Sequence, residues 1–468
     1  MIEQDAVVVS EALKTKQISA VEVMQETLAR IAQVNGAVNA IVSLREQNAL
    51  LEDAARADAS PRKGWLHGIP IAIKDLVDVA GLPNSKGSLL FKDVISPKDD
   101  IMVARLRAAG AIVIGKTNTP EFGLGSHTYN PVHGVTSNPY DLTKTCGGSS
   151  GGAAVALATG MVCVADGSDM MGSLRNPPAW NNVYGMRPSY GVVPSEAQGD
   201  TFMDHLHTNG PMARSPQDLA ALLDTMAGLD PRQPHGLVID PTLPLLTKGK
   251  KTPARIGWLG DWGGTLPFEA GIMSETESAL GQMTRMGWRV EEASAPYAMD
   301  PIWQSWIDLR SFAHGANRVA TYDDPSKRRM LNTAMRWEVE RYKAMSAADV
   351  HAAATIQSDW YRVAHTLFDH YDALVMPSTQ VWPFDKTITY PTRIGETEMD
   401  TYHRWMQVTV PAGLIGLPVV NLPIGFGVSG LPIGVQLIGA RGADAKILQL
   451  AQEWHEATMW PYKRPAMR

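Results

Sequence analysis

Residues 146–160, CGGSSGGAAVALATG, constrain this chain more than any other stretch. Two adjacent serines, Ser149 and Ser150, sit between two pairs of glycines. Glycine gives up more conformational freedom on folding than any other residue, so such a run is costly unless the backbone needs unusual dihedral angles or another segment must come close. The small residues that follow, AAVALATG at 153–160, suit a helix packed tightly on all sides.

The rest of the chain indicates the fold. Ile69, Ile71 and Ile73 alternate in GIPIAIKDLVDV (68–79), which predicts a strand carrying Lys74 near its end. Residues 100–109 read as a helix and AIVIGK (111–116) as a buried strand. MVCVADGSD (161–169) reads as a strand leaving the core, DALVMPS (372–378) and GVQLIG (434–439) as further strands, and 443–458 as a closing helix. Residues 5–34 read as two helices, the second opened by a capping box of Ser19 and Glu22. Strands alternating with helices predict an α/β fold. Residues 230–253, rich in proline and then lysine, read as a surface connection.

Composition excludes several classes. With 44% hydrophobic and 19% charged residues among 468, a sizeable core is available. A formal net charge of -6 gives no support for a nucleic-acid or anionic-membrane partner. Two cysteines, Cys146 and Cys163, are too few for a disulfide framework and have no zinc spacing. The start, MIEQDAVVVS, lacks the basic region of a signal peptide. The longest apolar run, near 413–428, is interrupted by Pro418, Asn421 and Pro423 and does not read as a membrane span. A cytoplasmic chain without metal or cofactor is the expectation.

Read alone, the glycine–serine stretch leaves three possibilities. It is a phosphate cradle, although no GxxxxGK[ST] is present. It is a nucleophile elbow, because 147–151 matches GxSxG; that esterase reading needs a later acid and histidine, and His205, His207, His314, His365, His403 and His455 are available. Or it is a structural helix start. Lys74 also has two readings. A lysine in an apolar strand is expensive to keep charged, and desolvation turns it into a candidate general base. Alternatively it snorkels or pairs with Asp75 or Asp78.

The wider pattern resembles a family. KTCGGSSGGAAVALATGMVCVADGSDMMGSLRNPPAWNNVYGMRPS (144–189) resembles the amidase signature, and 68–81, 108–125, GLPVVNLPIGF and GLPIGVQLIG are similar to its flanking blocks. The resemblance covers most of the chain and is weakest at 230–400. It implies one amidase domain over 1–468, a signature core at 65–210, a variable pocket region at 240–410, and a large twisted mixed β-sheet covered by helices on both faces. It implies that Ser173 is the nucleophile, Ser149 a bridging serine after a cis peptide bond, and Lys74 the base. Backbone N–H groups of Met170, Met171, Gly172 and Ser173 are the implied oxyanion hole. Ser150 would support Ser149, and Asp169 and Arg175 would hold the turn. The family uses no metal, and dimers are common in it.

One departure stands out. Met171 occupies a position where the family has glycine, which restricts the backbone there and narrows the pocket. Asn181 and Asn182 also depart, as polar contacts or turn formers. The implied activity is cleavage of a carboxamide or anilide C–N bond through a serine acyl-enzyme, on a small apolar or aromatic amide. A second expectation is the glutaminase component of a tRNA-dependent amidotransferase, which frees ammonia from glutamine and works only with partner chains; Met406, where an acid would hold the glutamine amino group, argues against it. Trp303, Trp306 and Met171 are expected at the pocket wall.

Overall fold

The computed structural model describes residues 1–196, 199–293 and 295–467. Eight strands form the main sheet, in the spatial order Arg289–Glu292, Arg255–Trp258, Ala373–Pro377, Pro432–Ile438, Val419–Phe426, Tyr184–Arg187, Thr208–Ala213 and Val164–Asp169. The first three are mutually parallel and every later pairing is antiparallel, so the sheet is mixed. A strand exposes alternate residues on opposite faces, and the central strands use both. Val375, Val420, Leu422, Val435 and Leu437 point into one core with Leu222 and Leu223 of the helix Pro216–Met226 and Ile447 and Leu448 of Asp444–Thr458. Leu374, Met376, Val419 and Ile438 point into the other, with Trp306 of Met299–Ala316 and Trp360 of Ala347–Leu367. Helices therefore cover both faces, as the α/β reading requires.

A second sheet has three strands in the order Ile41–Val42, Ile112–Thr117 and Pro70–Lys74. The backbone N–H of Lys74 donates to Asp166 Oδ1 at 3.0 Å, which ties this sheet to the edge strand Val164–Asp169 of the large one. Lys74 thus stands at the junction of two sheets.

The small-residue run forms the helix Gly151–Ala158, every residue of which is buried. Gly152 shows why no side chain is tolerated at its start: a Cβ there would lie 2.3 Å from the backbone nitrogen of Asn118. The second N-terminal helix, Ala20–Val38, carries the capping box of Ser19 and Glu22 read from the sequence. Residues 230–253 are irregular apart from one turn of 3₁₀ helix at Leu243–Leu245. No described helix is long and apolar enough to cross a membrane.

Candidate functional site

Three segments converge under the end of the helix Gly151–Ala158. The strand Pro70–Lys74 delivers Lys74, the glycine–serine turn delivers Ser149 and Ser150, and the turn after Val164–Asp169 delivers Ser173. Lys74 is fully buried, and Ser149 and Ser173 are 3% and 7% exposed. Lys74 Nζ donates to Ser149 Oγ at 2.8 Å, Ser150 Oγ at 2.9 Å and Ser168 Oγ at 3.0 Å. Ser149 Oγ donates to Ser173 Oγ at 3.0 Å, and the Ser149 backbone N–H donates to the same oxygen at 2.9 Å. The peptide bond Gly148–Ser149 is cis.

The surroundings of Lys74 decide its protonation. Among the described residues it forms no ion pair, with Asp75 and Asp78 engaged by Ser85 and by Asn84 and Ser96 respectively. Burial pushes its amine down to about 7, against the opposing pull of Asp166 and Asp169. A buried ammonium is costly, and three neutral hydroxyls solvate it less well than water. Asp166 is itself pushed up to about 6 by burial, and its Oδ2 has no hydrogen-bond partner among the described residues.

The turn at 169–175 is built around a buried carboxylate. Asp169 accepts from Gly172 N–H and Leu174 N–H, both at 2.9 Å, and from Arg175 Nε and Nη2 at 3.0 and 2.8 Å. Arg187 Nη1 approaches the same carboxylate at 3.3 Å. Burial alone would raise the carboxyl, but the two guanidiniums hold it well below the usual carboxylate range. Arg175 also donates to Thr409 O and Gln436 Oε1, anchoring the turn to the distant end of the chain. Gly172 has φ +90°, and a Cβ there would lie 2.8 Å from Thr409 Cγ2. Met171 does not share that left-handed geometry, so a side chain fits where glycine was expected.

Four backbone donors were expected to face the site, and one of them is engaged. The N–H of Gly172 is taken by Asp169. Among the described residues, the N–H groups of Met170, Met171 and Ser173 meet no acceptor. Met170, Met171 and Ser173 line a cavity of about 280 Å³, together with Ser149 and Met406.

Other expectations fare differently. Trp303 and Trp306 do not line this cavity; both are buried in the second core, because a helix that covers a sheet turns its largest apolar side chains inward. Asn182 has φ 55° and Asn181 Nδ2 donates to Cys146 O and Pro177 O, so both act in the turn. No histidine reaches Ser149 Oγ among the described residues, which removes the geometry an esterase elbow needs. Burial pushes the Cys146 thiol up to about 12, so it supplies no thiolate near neutrality. The sequence reading missed Ser168, Arg310 and Arg318, and weighed His314 only as a partner for an esterase elbow. The signal for Arg310, His314 and Arg318 was their spacing of four, the last falling in the turn after the helix Met299–Ala316.

With this geometry in hand, comparison with known proteins is decisive. The family model described as Amidase matches residues 22–448. The chain is 33% identical to a glutamyl-tRNA(Gln) amidotransferase subunit of Symbiobacterium thermophilum, over 96% of both chains. It is 32% identical to indoleacetamide hydrolase of Bradyrhizobium diazoefficiens, over 95% of this chain and 85% of that one. Among solved structures it superposes on a bacterial aryl acylamidase of the amidase signature family with a TM-score of 0.92 and 28% identity, over 99% of each chain. The chain belongs to the amidase family. It is an enzyme that hydrolyses amide C–N bonds.

Proposed function

We propose that this protein cleaves a small-molecule amide through an acyl-enzyme on Ser173, with Ser149 relaying protons to Lys74. One observation carries the reading: the unbroken chain Lys74 Nζ–Ser149 Oγ–Ser173 Oγ, with links of 2.8 and 3.0 Å, in a buried site. An amine with a pKa of about 7 is neutral in a large fraction of molecules at neutral pH. Its lone pair accepts the Ser149 proton as Ser149 Oγ accepts the proton of Ser173. Ser173 Oγ then bonds to the carbonyl carbon, and the Ser149 backbone N–H supports the oxygen while it is negative. The carbonyl oxygen becomes an oxyanion held by the N–H groups of Met170, Met171 and Ser173. When the C–N bond breaks, the proton returns along the relay to the amine nitrogen. Water attacks the ester by the same route, releases the acid and restores Ser173.

Ser150 and Ser168 keep the amine aimed, and Asp169 with Arg175 keeps the donor turn in place. Met170, Met171 and Met406 favour a substrate with an apolar portion. Two buried free thiols fit a reducing, cytoplasmic setting. Ser173→Ala should lower kcat at least about 10⁴-fold while leaving the unfolding midpoint near wild type; near-normal turnover would refute the assignment. A second reading, a component of a glutamyl-tRNA amidotransferase, is favoured by the identity to such a chain over 96% of both sequences. Glutaminase activity appearing only with partner subunits would establish it, and hydrolysis of simple amides by the isolated chain would exclude that dependence.

A further inference from the structure

The helix Met299–Ala316 contributes Arg310 and His314 to the cavity lining, and Asn317 and Arg318 follow in the turn after its end. Arg310, His314 and Arg318, each four residues from the last, all line the pocket. Arg310 is 3% exposed, and its Nε donates to Glu338 Oε1 at 2.8 Å and its Nη2 to Tyr402 Oη at 2.9 Å. The remaining edge, Nη1, meets the thioether of Met170 at 3.3 Å. His314 Nε2 lies 3.1 Å from the same sulfur. A thioether is a weak acceptor, so a buried guanidinium edge is left with a poor partner at the wall of a substrate cavity. Arg318 lies over the rings of Phe122 and Phe91, its Nη1 donates to Asn317 O, and its Nε has no hydrogen-bond partner among the described residues.

The lining also carries Asp78, Asp100, Asp204 and Glu196, each of which already accepts at least one hydrogen bond or ion pair. Asp78 accepts from Asn84 and Ser96, Asp100 from Met102 N–H, and Asp204 from Leu206 N–H, while Glu196 pairs with Lys98 and Arg232. Arg310 Nη1, which meets only a thioether, and Arg318 Nε are donors at this lining that lack a strong acceptor. Burial, together with Arg310, Arg318 and His207, holds the His314 imidazole well below its ordinary 6.5, so it adds a neutral hydrogen-bonding group.

We infer that Arg310, His314 and Arg318 form a specificity wall for an amide that carries a carboxylate, in the same pocket where the acyl-enzyme reading on which this rests puts the scissile bond. The carboxylate would displace the Met170 thioether from Arg310 Nη1 and gain charge-assisted bonds from the two guanidiniums. Met170 is also the residue whose backbone N–H faces the carbonyl. The carboxylate therefore stands about one methionine side chain from the reacting carbon, on either the acyl or the amine side.

Binding to the Ser173→Ala protein tests this without turnover. Calorimetric titration compares two matched pairs: N-phenylsuccinamic acid with N-phenylbutanamide, for an acyl-side carboxylate, and 4-acetamidobenzoic acid with acetanilide, for an amine-side one. At least one acid should bind about tenfold or more tighter than its neutral partner. Adding Arg318→Gln should bring that ratio towards one, and Arg310→Lys, which keeps a cation for Glu338, should also reduce it. Neutral partners that bind as tightly as both acids, acids that show no binding, or a ratio that survives Arg318→Gln would each overturn the inference. Should Ser173→Ala still consume these compounds, the nucleophile assignment falls, and the ratios still decide the carboxylate wall.

Discussion

Replacing Lys74 with methionine should abolish turnover and, at the same time, change how stability depends on pH. The amine is fully buried and is lowered from an ordinary 10.5 to about 7, chiefly by desolvation. At about 1.36 kcal/mol per pH unit this places a penalty of about 5 kcal/mol on the charged form in the folded protein. The folded-state value lies below the unfolded one, so between about pH 7 and 10.4 the unfolded chain binds more protons than the folded one. Stability contributed by this group therefore rises with pH across that window and is lowest below it. Lys74→Met removes the amine from both states. The lost hydrogen bonds to Ser149, Ser150 and Ser168 form a term that depends little on pH and cancels in a comparison across pH. From about pH 6.5 to 9.5, the stability of the wild type relative to the variant should rise by about 3 kcal/mol. Urea unfolding of both proteins at several pH values measures this directly. Parallel curves would mean that Lys74 titrates as an ordinary surface lysine, and the neutral-base mechanism would fail. In the wild type, kcat/KM should fall about tenfold per unit of pH below about 7 and level off above it.

Gly172→Ala puts a Cβ against Thr409 Cγ2 at a residue with φ +90°; shifting the turn that carries Ser173 should lower kcat by about 100-fold, with KM changed less, in steady-state assays. Arg175→Met removes two hydrogen bonds from the buried carboxylate of Asp169, leaving Arg187 at 3.3 Å as its one guanidinium, and should cost about 3 kcal/mol in urea unfolding. Arg175→Lys should recover little of it, since a lysine cannot reproduce the two-pronged contact through Nε and Nη2.

The parts of this fold that could be read in the sequence were those whose periodicity is local. Ile69, Ile71 and Ile73 alternate because residues two apart in an extended segment share a face, here the one packed into the larger core, and that alternation located Lys74 in an apolar setting. Ser19 and Glu22 marked a helix start because a capping box is a contact three residues long. The relay itself joins Lys74, Ser149 and Ser173, which come from different elements, and only resemblance to the amidase signature linked them. Strands such as Tyr184–Arg187 and Thr208–Ala213 escaped notice because their sequences, YGMR and TNGPMA, are short and contain glycine, proline or a buried arginine. Burial of Arg187 is stabilised by Asp169, 18 residues earlier, and no local pattern announces that. Trp303 and Trp306 misled for a related reason: aromatic bulk suits a core and a pocket equally, and only packing against the sheet decides between them. The set of Arg310, His314 and Arg318 was present as a spacing of four, but which side chains meet the cavity is a tertiary fact.

Covalent trapping tests the nucleophile most directly. The wild-type protein would be treated with an aryl fluorophosphonate, digested and mapped by mass spectrometry, beside Ser173→Ala and Lys74→Met. A single adduct on Ser173, absent from Ser173→Ala and formed far more slowly in Lys74→Met, is the expected result. An adduct on Ser149 or Cys146, or labelling at an undiminished rate without Lys74, would contradict it.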